Sequence, residues 1–157
     1  MSSEAPQLIF GGASFGLDFK SEESVREILQ VLKSNGVTQI DTAALYPPTD
    51  MGASERYLGQ IGAIADGFKV DTKILVLSVE ADGTLEPAAI EKSLKGSVER
   101  LQLKEGQKIN VLHCHAVDNT TPIEDQARAL NEQYKAGHFS EVWRAQFALR
   151  HYLLNAP

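Results

Sequence analysis

The length, composition and charge of the chain limit what kind of protein it can be. It has 157 residues, 43% of them hydrophobic and 23% charged, which is enough for one core and typical of a single globular domain. The formal net charge is −6 and the 15 lysines and arginines form no basic run, which argues against a nucleic-acid-binding or lipid-binding protein.

The single cysteine and the N-terminus indicate a cellular compartment. With Cys114 alone, neither an internal disulfide nor a CxxC zinc site can form. The N-terminal MSSEAPQLIF lacks a basic segment followed by an apolar stretch, and no run approaches the roughly 20 apolar residues needed to span a bilayer. We therefore expect a reducing, cytoplasmic location with no membrane or nucleic-acid partner.

Short apolar runs alternate with longer amphipathic segments, which is typical of βα units around a parallel sheet. The first predicted unit is a strand at 7–10, a glycine-rich turn at 11–16 and a helix that ends at Asn35-Gly36. The helix is predicted from apolar residues at i, i+3, i+4 and i+7, namely Val25, Ile28, Leu29 and Leu32.

Three further units follow, and a segment at 138–142 can begin a fifth strand. The fourth helix is predicted to start at 121–124 with a capping box and proline at its first position. The predicted strands are 37–41, 68–73 and 109–115, and the helices lie near 54–59, from about 87 to 101, and from 121 to 136. The stripes predicted to be buried are Ile90, Leu94, Val98 and Leu101, then Ile123, Ala127, Leu130 and Tyr134.

Four ionisable residues lie at the ends of these strands or just after them. Asp41, Lys73 and His115 end consecutive strands, and Tyr46 lies in the loop after Asp41. Because strand ends and βα loops converge on one face of a βα barrel, we expect the four side chains to be neighbours. Each residue alone has an ordinary structural interpretation, as a cap, a solvated residue or a packed residue. Only their joint placement favours catalysis.

Together the four side chains can transfer a proton. A cation beside a phenol favours its deprotonated form, and a carboxylate paired with the cation holds it in place. The imidazole can orient a carbonyl oxygen by a hydrogen bond, and Tyr46 can then protonate that oxygen. None of these groups donates a hydride, so a reduction requires a cofactor.

Several motifs resemble the aldo-keto reductase family. The segment IDTAALY at 40–46, with GASE at 52–55 and LG at 58–59, resembles the family signature. VDTK ending at Lys73 resembles the strand that ends in the catalytic lysine. LHCH ending at His115, with Asp118 and TPIE after it, resembles the strand that ends in the catalytic histidine. The match runs from about 7 to 142 and is similar to the branch of aflatoxin-aldehyde reductases and fungal secondary-metabolite reductases.

The resemblance implies a fold and an activity. The fold is α/β, a partial (β/α)8 TIM barrel of about four βα units with a C-terminal helical tail. The activity is NADPH-dependent reduction of an aldehyde or ketone to an alcohol, without a metal. Tyr46 is implied as general acid with Lys73 and Asp41 as partners, and His115 as the group that orients the carbonyl, so Tyr46 and His115 contact the substrate. Asp41 is implied to lie near the nicotinamide ribose, and we interpret Gly12 and its turn as lying near the nicotinamide.

Other residues near these motifs have structural interpretations. Glu55 is expected to cap or brace the second helix, and His113 to pack. Cys114 should face away from His113 and His115 by strand alternation, so a metal site formed by the three is not expected. Val117 stands where the family often has proline.

The resemblance ends after residue 142. We divide the chain into 1–142, the N-terminal half of a barrel, and 143–157, a divergent tail with a helical stripe of Trp143, Phe147 and Leu154. The family's Ser-Asn pair for the nicotinamide carboxamide is missing, and a complete barrel takes about 250 residues. We hypothesise that the tail is an aberrant terminus. The alternative function is an inactive or weakly active half-barrel, a remnant or interaction module whose open edges a homo-oligomer covers.

Overall fold

Five parallel strands form one sheet, and an α-helix connects each strand to the next. The computed structural model describes residues 6–77 and 81–144. The strand order is β1-β2-β3-β4-β5, so each crossover leads to the adjacent strand. The strands are β1 (Phe10–Gly11), β2 (Gln39–Asp41), β3 (Lys69–Lys73), β4 (Ile109–Cys114) and β5 (Phe139–Arg144). The helices are α1 (Glu22–Ser34), α2 (Ala53–Gln60), α3 (Pro87–Arg100) and α4 (Ile123–Lys135).

This succession of adjacent parallel strands and crossover helices confirms the predicted α/β class and the partial (β/α) barrel. A short 3-10 helix, Gly12–Ser14, follows β1 in the turn that the glycines predicted. Between residues 6 and 77 and between 81 and 144, no helix is long and apolar enough to cross a membrane.

The strand register decides which residues share a face of the sheet. Asp41 pairs with Asp71, and Lys73 pairs with His113. Paired residues of parallel strands point to the same face, and residues two apart on a strand do so as well. Asp41, Lys73 and His113 therefore share one face, which we call the inner face. Thr42 and Thr72 lie on the opposite, outer face, which the helices cover.

The hydrophobic core fills the space between the outer face and the helices. Its fully buried members come from every layer and include Ile40, Val70, Leu112, Val25, Ile90, Leu58 and Leu130. Within α1, Val25 and Leu29 are buried while Ile28 and Leu32 are partly buried, as the stripe predicted. Serine side chains cap this helix, since Ser21 accepts from the Ser24 amide and the Ser24 hydroxyl in turn accepts from the Ser21 amide.

The predicted start of α4 is wrong, and its predicted buried stripe is confirmed only in part: Leu130 is buried, and Ile123 and Ala127 are partly buried against the core. Pro122 is the N-cap rather than the first helical residue, and no side chain caps the helix, because the Thr121 hydroxyl donates to Asp118 instead. The buried residues are Gln126, Ala129 and Leu130, whereas Tyr134 is 52% exposed. The Gln126 amide group donates to the carbonyl oxygens of Asp118 and Thr121, which draws a polar residue into the interior and rotates the buried stripe.

The fifth strand extends further than the sequence predicted. β5 continues through Trp143 to Arg144, so the predicted helical stripe is wrong at its first residue. The Trp143 side chain is 60% exposed at the edge of the sheet. Phe147 and Leu154, the other members of that stripe, lie outside the described residues.

Candidate active site

The ends of β2 and β3 place a carboxylate and an amine in direct contact. Lys73 Nζ lies 2.7 Å from Asp41 Oδ1 and 2.6 Å from Oδ2, and it donates a further hydrogen bond of 2.7 Å to the carbonyl oxygen of Thr42. A lysine ammonium has three protons, so these acceptors satisfy all of them. The Lys73 side chain is 14% exposed and that of Asp41 33% exposed. The pair is thus fixed but still open to a ligand.

Tyr46 lies in the loop after β2, between this ion pair and His115. Lys73 Nζ is 4.8 Å from the centroid of the Tyr46 ring. The ring of His115 meets the Tyr46 ring edge-on, with 5.7 Å between centroids and 89° between planes. The structure therefore brings Asp41, Tyr46, Lys73 and His115 into one cluster. Because the three ammonium protons are already bonded, the contact of Lys73 with the Tyr46 ring is that of a charge over the ring face.

His115 follows β4 directly and is held as a neutral imidazole. Burial lowers the pKa of His115, the Lys73 ammonium lowers it further, and the carboxylate of Asp41 opposes this. Its Nδ1 atom is buried and has no hydrogen-bond partner among the described residues. A neutral imidazole has one N–H donor and one acceptor nitrogen. It can therefore donate one hydrogen bond to a carbonyl oxygen without adding charge to the site.

His113 stands beside Lys73 on the inner face, at the floor of the same cluster. Burial lowers the pKa of His113, the Asp41 carboxylate opposes this, and the Lys73 ammonium lowers the pKa further. The sequence interpretation as packing missed that this imidazole lies within electrostatic reach of the ion pair; the period-two alternation that aligned it with His115 was the available signal. Cys114 is buried in the core on the other face. Among the described residues, no three His, Cys, Asp or Glu side chains cluster as a metal site would require.

The glycines after β1 differ in what surrounds them. A Cβ on Gly12 would lie 3.2 Å from the Phe15 ring and 3.3 Å from an Ile40 methyl, so the lack of a side chain permits close packing. The Gly12 carbonyl already accepts from the Ser54 hydroxyl. Nothing lies within 4 Å of a Cβ on Gly11, which borders open space. Contact between Gly12 and a cofactor stays a prediction.

Comparison with known proteins identifies the family of this chain. The model of the protein family described as "Aldo/keto reductase family" matches residues 7–144. The chain belongs to the aldo/keto reductase family. It is 35% identical to "Oxidoreductase sirO" of Leptosphaeria maculans over 87% of its length and 41% of that protein's. It is 28% identical to human "Aldo-keto reductase family 7 member A3" and 27% to human "Aflatoxin B1 aldehyde reductase member 4", each over 94% of its length and 43% of theirs. The chain thus spans about two fifths of these relatives.

These three relatives are named as an oxidoreductase, an aldo-keto reductase and an aldehyde reductase. The family match also extends through β5, two residues beyond the point where the sequence resemblance was expected to end. Glu55 of the family signature does not cap its own helix but braces it, which was the other expected role. Its carboxylate accepts from the Thr72 hydroxyl of β3 at 2.5 Å and from Arg100 of α3 at 2.6 Å.

Asp118 joins two loops, one after β3 and one after β4. Its carboxylate accepts hydrogen bonds from the Leu85 amide, at 2.9 Å, and from the amides and hydroxyls of Thr120 and Thr121, at 2.7 to 3.1 Å. Burial raises the pKa of Asp118, but these donors outweigh burial and hold the pKa well below its usual range. The loop after β3 and the loop that follows His115 are therefore tied by one ionised carboxylate.

Asp71 is a second buried carboxylate that the sequence interpretation missed. It lies on β3, paired with Asp41 of β2 and two residues before Lys73. Its carboxylate accepts from Gln39 at 2.6 Å, from Asn110 at 2.6 Å and from the Val111 amide at 3.2 Å. The Asp71 carboxylate thus accepts a hydrogen bond from the backbone amide of Val111 on the neighbouring strand β4. Asp71 links β2, β3 and β4 below the candidate catalytic cluster.

Proposed function

We propose that this chain carries the proton-transfer centre of an NADPH-dependent reductase that converts an aldehyde or ketone to an alcohol. The observation that carries the proposal is the Lys73–Asp41 pair over the face of Tyr46, with His115 against the edge of the same ring. Tyr46 is the general acid, Lys73 and Asp41 are its electrostatic partners, and His115 orients the carbonyl.

The roles follow from the charges in the cluster. Tyr46 donates its proton to the substrate oxygen, and the Lys73 ammonium stabilises the negative charge that the phenol then acquires. Asp41 keeps the ammonium in place with two hydrogen bonds. His115, neutral because its pKa is lowered, donates a hydrogen bond to the same oxygen and does not compete as an acid.

A nicotinamide cofactor fits the residues present. The aldo/keto reductase family generally uses such a cofactor, and NADPH when bound supplies the hydride that no side chain here can donate. Asp41 has the free lone pairs and the exposure to accept a hydrogen bond from a ribose hydroxyl. The buried Nδ1 of His115 has no hydrogen-bond partner among the described residues, so the imidazole is not held by a protein acceptor at that atom. Gly12 and its turn are expected to lie near the nicotinamide.

The test measures NADPH oxidation with an aromatic aldehyde, in the chain and in its Tyr46→Phe variant. Removal of the general acid should lower the rate by roughly 10²- to 10⁴-fold. Tyr57 offers a matched control, because its hydroxyl donates to the Lys20 carbonyl away from the cluster and Tyr57→Phe should keep the rate. If the wild-type rate does not exceed that of Tyr46→Phe, this chain has no such activity.

The open edges of the sheet favour a second candidate, a half-barrel that is weakly active or inactive and serves as an interaction module. β1 and β5 each pair with one strand only within the described residues, and apolar side chains are exposed at both edges, Leu8 and Ile9 near β1 and Trp143 on β5. Unpaired strand edges recruit other chains. A homo-oligomer would cover them.

Light scattering together with NADPH fluorescence titration separates the two candidates. A monomer that binds the cofactor tightly supports the reductase, whereas an oligomer without cofactor binding supports the module.

We propose aldehydes as the substrate class, since two human relatives are named as aflatoxin B1 aldehyde reductases. A cytoplasmic location stays a prediction. A role in fungal secondary metabolism also stays a prediction, because the relative from Leptosphaeria maculans is named only as an oxidoreductase.

A further inference from the structure

A chain of buried hydrogen bonds lies on the outer face, behind the candidate catalytic cluster. It reaches the backbone at or next to Asp41, Tyr46 and Lys73. Thr42 and Thr72, the residues next to Asp41 and Lys73, are both fully buried. Each hydroxyl donates to a residue in the first turn of α2, Thr42 to Ser54 and Thr72 to Glu55. The inner and outer faces are thus connected through single peptide units.

Ser54 contacts three segments at once. Its hydroxyl accepts from Thr42 at 2.6 Å and donates to the Gly12 carbonyl at 2.8 Å. Its backbone amide donates to the Tyr46 carbonyl at 3.1 Å. Thr42 also supplies the carbonyl oxygen that accepts the third proton of Lys73. Ser54 therefore holds the backbone of Tyr46 and, through Thr42, one of the acceptors that fix the ammonium.

Glu55 performs the matching task for β3. It is completely buried, and its two oxygens are used by the Thr72 hydroxyl and by Arg100. Close packing keeps α2 against α3, because a Cβ on Gly59 would collide with the backbone of Arg100 and Leu101. Thr72 directly precedes Lys73 on β3. The hydrogen bond from Thr72 to Glu55 therefore holds the backbone next to Lys73.

We propose that Ser54 and Glu55 are positioning residues, which set the relative placement of Tyr46, Asp41 and Lys73 from behind the sheet. They touch no reacting atom. β2 has only three residues, and Tyr46 lies in a loop, so strand pairing alone does not fix the phenol relative to the amine. Small misplacements of reacting groups are costly, and about 1 Å can lower a rate 10²-fold. The expected effect on the reaction rate rests on the proposed reductase function.

The experiment combines a structural readout with a kinetic one. Variants Ser54→Ala, Thr72→Val and Thr72→Ser are treated with acetic anhydride, and modification of Lys73 is measured by mass spectrometry relative to exposed Lys95 in the same sample. Loss of one hydrogen bond should raise the relative labelling of Lys73 about three- to tenfold in Ser54→Ala and Thr72→Val. Thr72→Ser keeps the hydroxyl and should restore the wild-type value.

The kinetic arm should show the same order of variants. In Ser54→Ala and Thr72→Val, kcat should fall roughly 10- to 100-fold with little change in KM, because positioning of the acid and not substrate affinity is altered. Ser21→Ala is the matched control, since it also removes a serine hydroxyl from a helix N-terminus but at α1, far from the cluster. It should change neither the labelling nor the rate.

The outcomes separate this inference from the reductase proposal. If Lys73 labelling in folded Ser54→Ala and Thr72→Val equals that of the wild type, the positioning role is wrong, whatever the rates are. If the wild-type chain has no rate above Tyr46→Phe, the reductase proposal fails, and the labelling still decides whether α2 positions Lys73. Should Ser54→Ala fail to fold, Thr72→Val with its Thr72→Ser rescue decides the question.

Discussion

The two faces of the sheet at the ends of β2 and β3 differ in how completely their polar groups are satisfied. On the outer face, Thr42, Ser54, Glu55 and Thr72 are fully buried and all of them are hydrogen-bonded to one another or to neighbours. On the inner face, Asp41 and Lys73 remain partly exposed, and the buried Nδ1 of His115 has no partner among the described residues.

This difference separates rigidity from reactivity within the same peptide units. A buried polar group without a partner costs free energy, so the outer face is stable only when its network is complete. A group that must bind substrate or move a proton cannot have all its bonds used inside the protein. The hydrogen bonds of the outer face hold the strand ends in place. Polar side chains on the inner face of the same strand ends can therefore lack a protein partner.

The largest expected effect is loss of the inner-face amine. Lys73→Met removes the charge over Tyr46 and the partner of Asp41, so kcat/KM should fall roughly 10²- to 10⁴-fold, as for other members of an acid–base pair. The fold should persist, since Asp41 is partly exposed and can be hydrated. Steady-state kinetics with an aromatic aldehyde measure the change. Lys69→Met, on the same strand but exposed at its start, should behave as wild type; equal losses would contradict the assignment.

The next effect tests the outer face through Arg100. Arg100→Leu leaves the completely buried Glu55 carboxylate with only the Thr72 hydroxyl, and loss of one partner of a buried ion pair costs about 3 kcal/mol. Urea unfolding followed by circular dichroism gives the free energy. The control is Arg128→Leu, whose pair with Asp125 is solvent-exposed and worth less than about 0.5 kcal/mol. If both variants lose the same stability, the outer network does not hold the strand ends.

A smaller effect is expected at Asp118, which ties the loops after β3 and β4. Asp118→Asn replaces one acceptor oxygen by a donor and should cost about 2 kcal/mol at pH 7, within the range for hydrogen bonds to a charged group. The folded pKa lies below the unfolded value of about 3.9, so this stability is present above that pH and is lost as the pH falls toward the folded pKa.

Urea unfolding of wild type and Asp118→Asn at pH 7, 5, 4 and 3 measures this contribution. The difference in free energy should stay constant from pH 7 to 5 and shrink below pH 4. Asp66→Asn is a control at an exposed ion pair and should show a much smaller difference. A gap that widens at low pH would show that Asp118 is not held in its ionised form.

Much of the fold could be predicted from local patterns, and so could the candidate cluster. The apolar stripe of α1 has the period of a helix, and the positions of Asp41, Lys73 and His115 at consecutive strand ends follow from topology, because the ends of parallel strands meet at one face. Both inferences use sequence spacing within one element or the order of elements. Neither requires knowledge of which distant side chains bond.

The missed features depend on contacts between distant residues. Glu55 and Arg100 are 45 positions apart, and nothing in the spacing of either indicates the other. The predicted stripe of α4 was right only in part, because a tertiary hydrogen-bond network buries Gln126, and hydrophobic periodicity treats glutamine as a surface residue. The capping box at Thr121 was wrong because Asp118, three residues earlier, takes the hydroxyl.

The smallest expected effect concerns the imidazoles of the inner face and shows how far its charges interact. The folded pKa of His115 lies below 6.5, so protonation costs stability as the pH falls through 6.5 toward the folded pKa, and the stability is fully present above 6.5. The Lys73 ammonium is part of the cause. Lys73→Met removes this charge and leaves that of Asp41, so the pKa of His115 should rise.

Two-dimensional NMR of the imidazole ring protons, recorded as a function of pH, measures this change directly. Asp41→Asn should have the opposite sign, because it removes the carboxylate that favours the imidazolium while the ammonium remains. His113 should respond in the same directions, since both charges also act on it. A pKa of His115 that is insensitive to both substitutions would mean that water screens the inner face. In that case the amine could not act on Tyr46 through its charge either, and the contrast between the two faces would be one of burial alone.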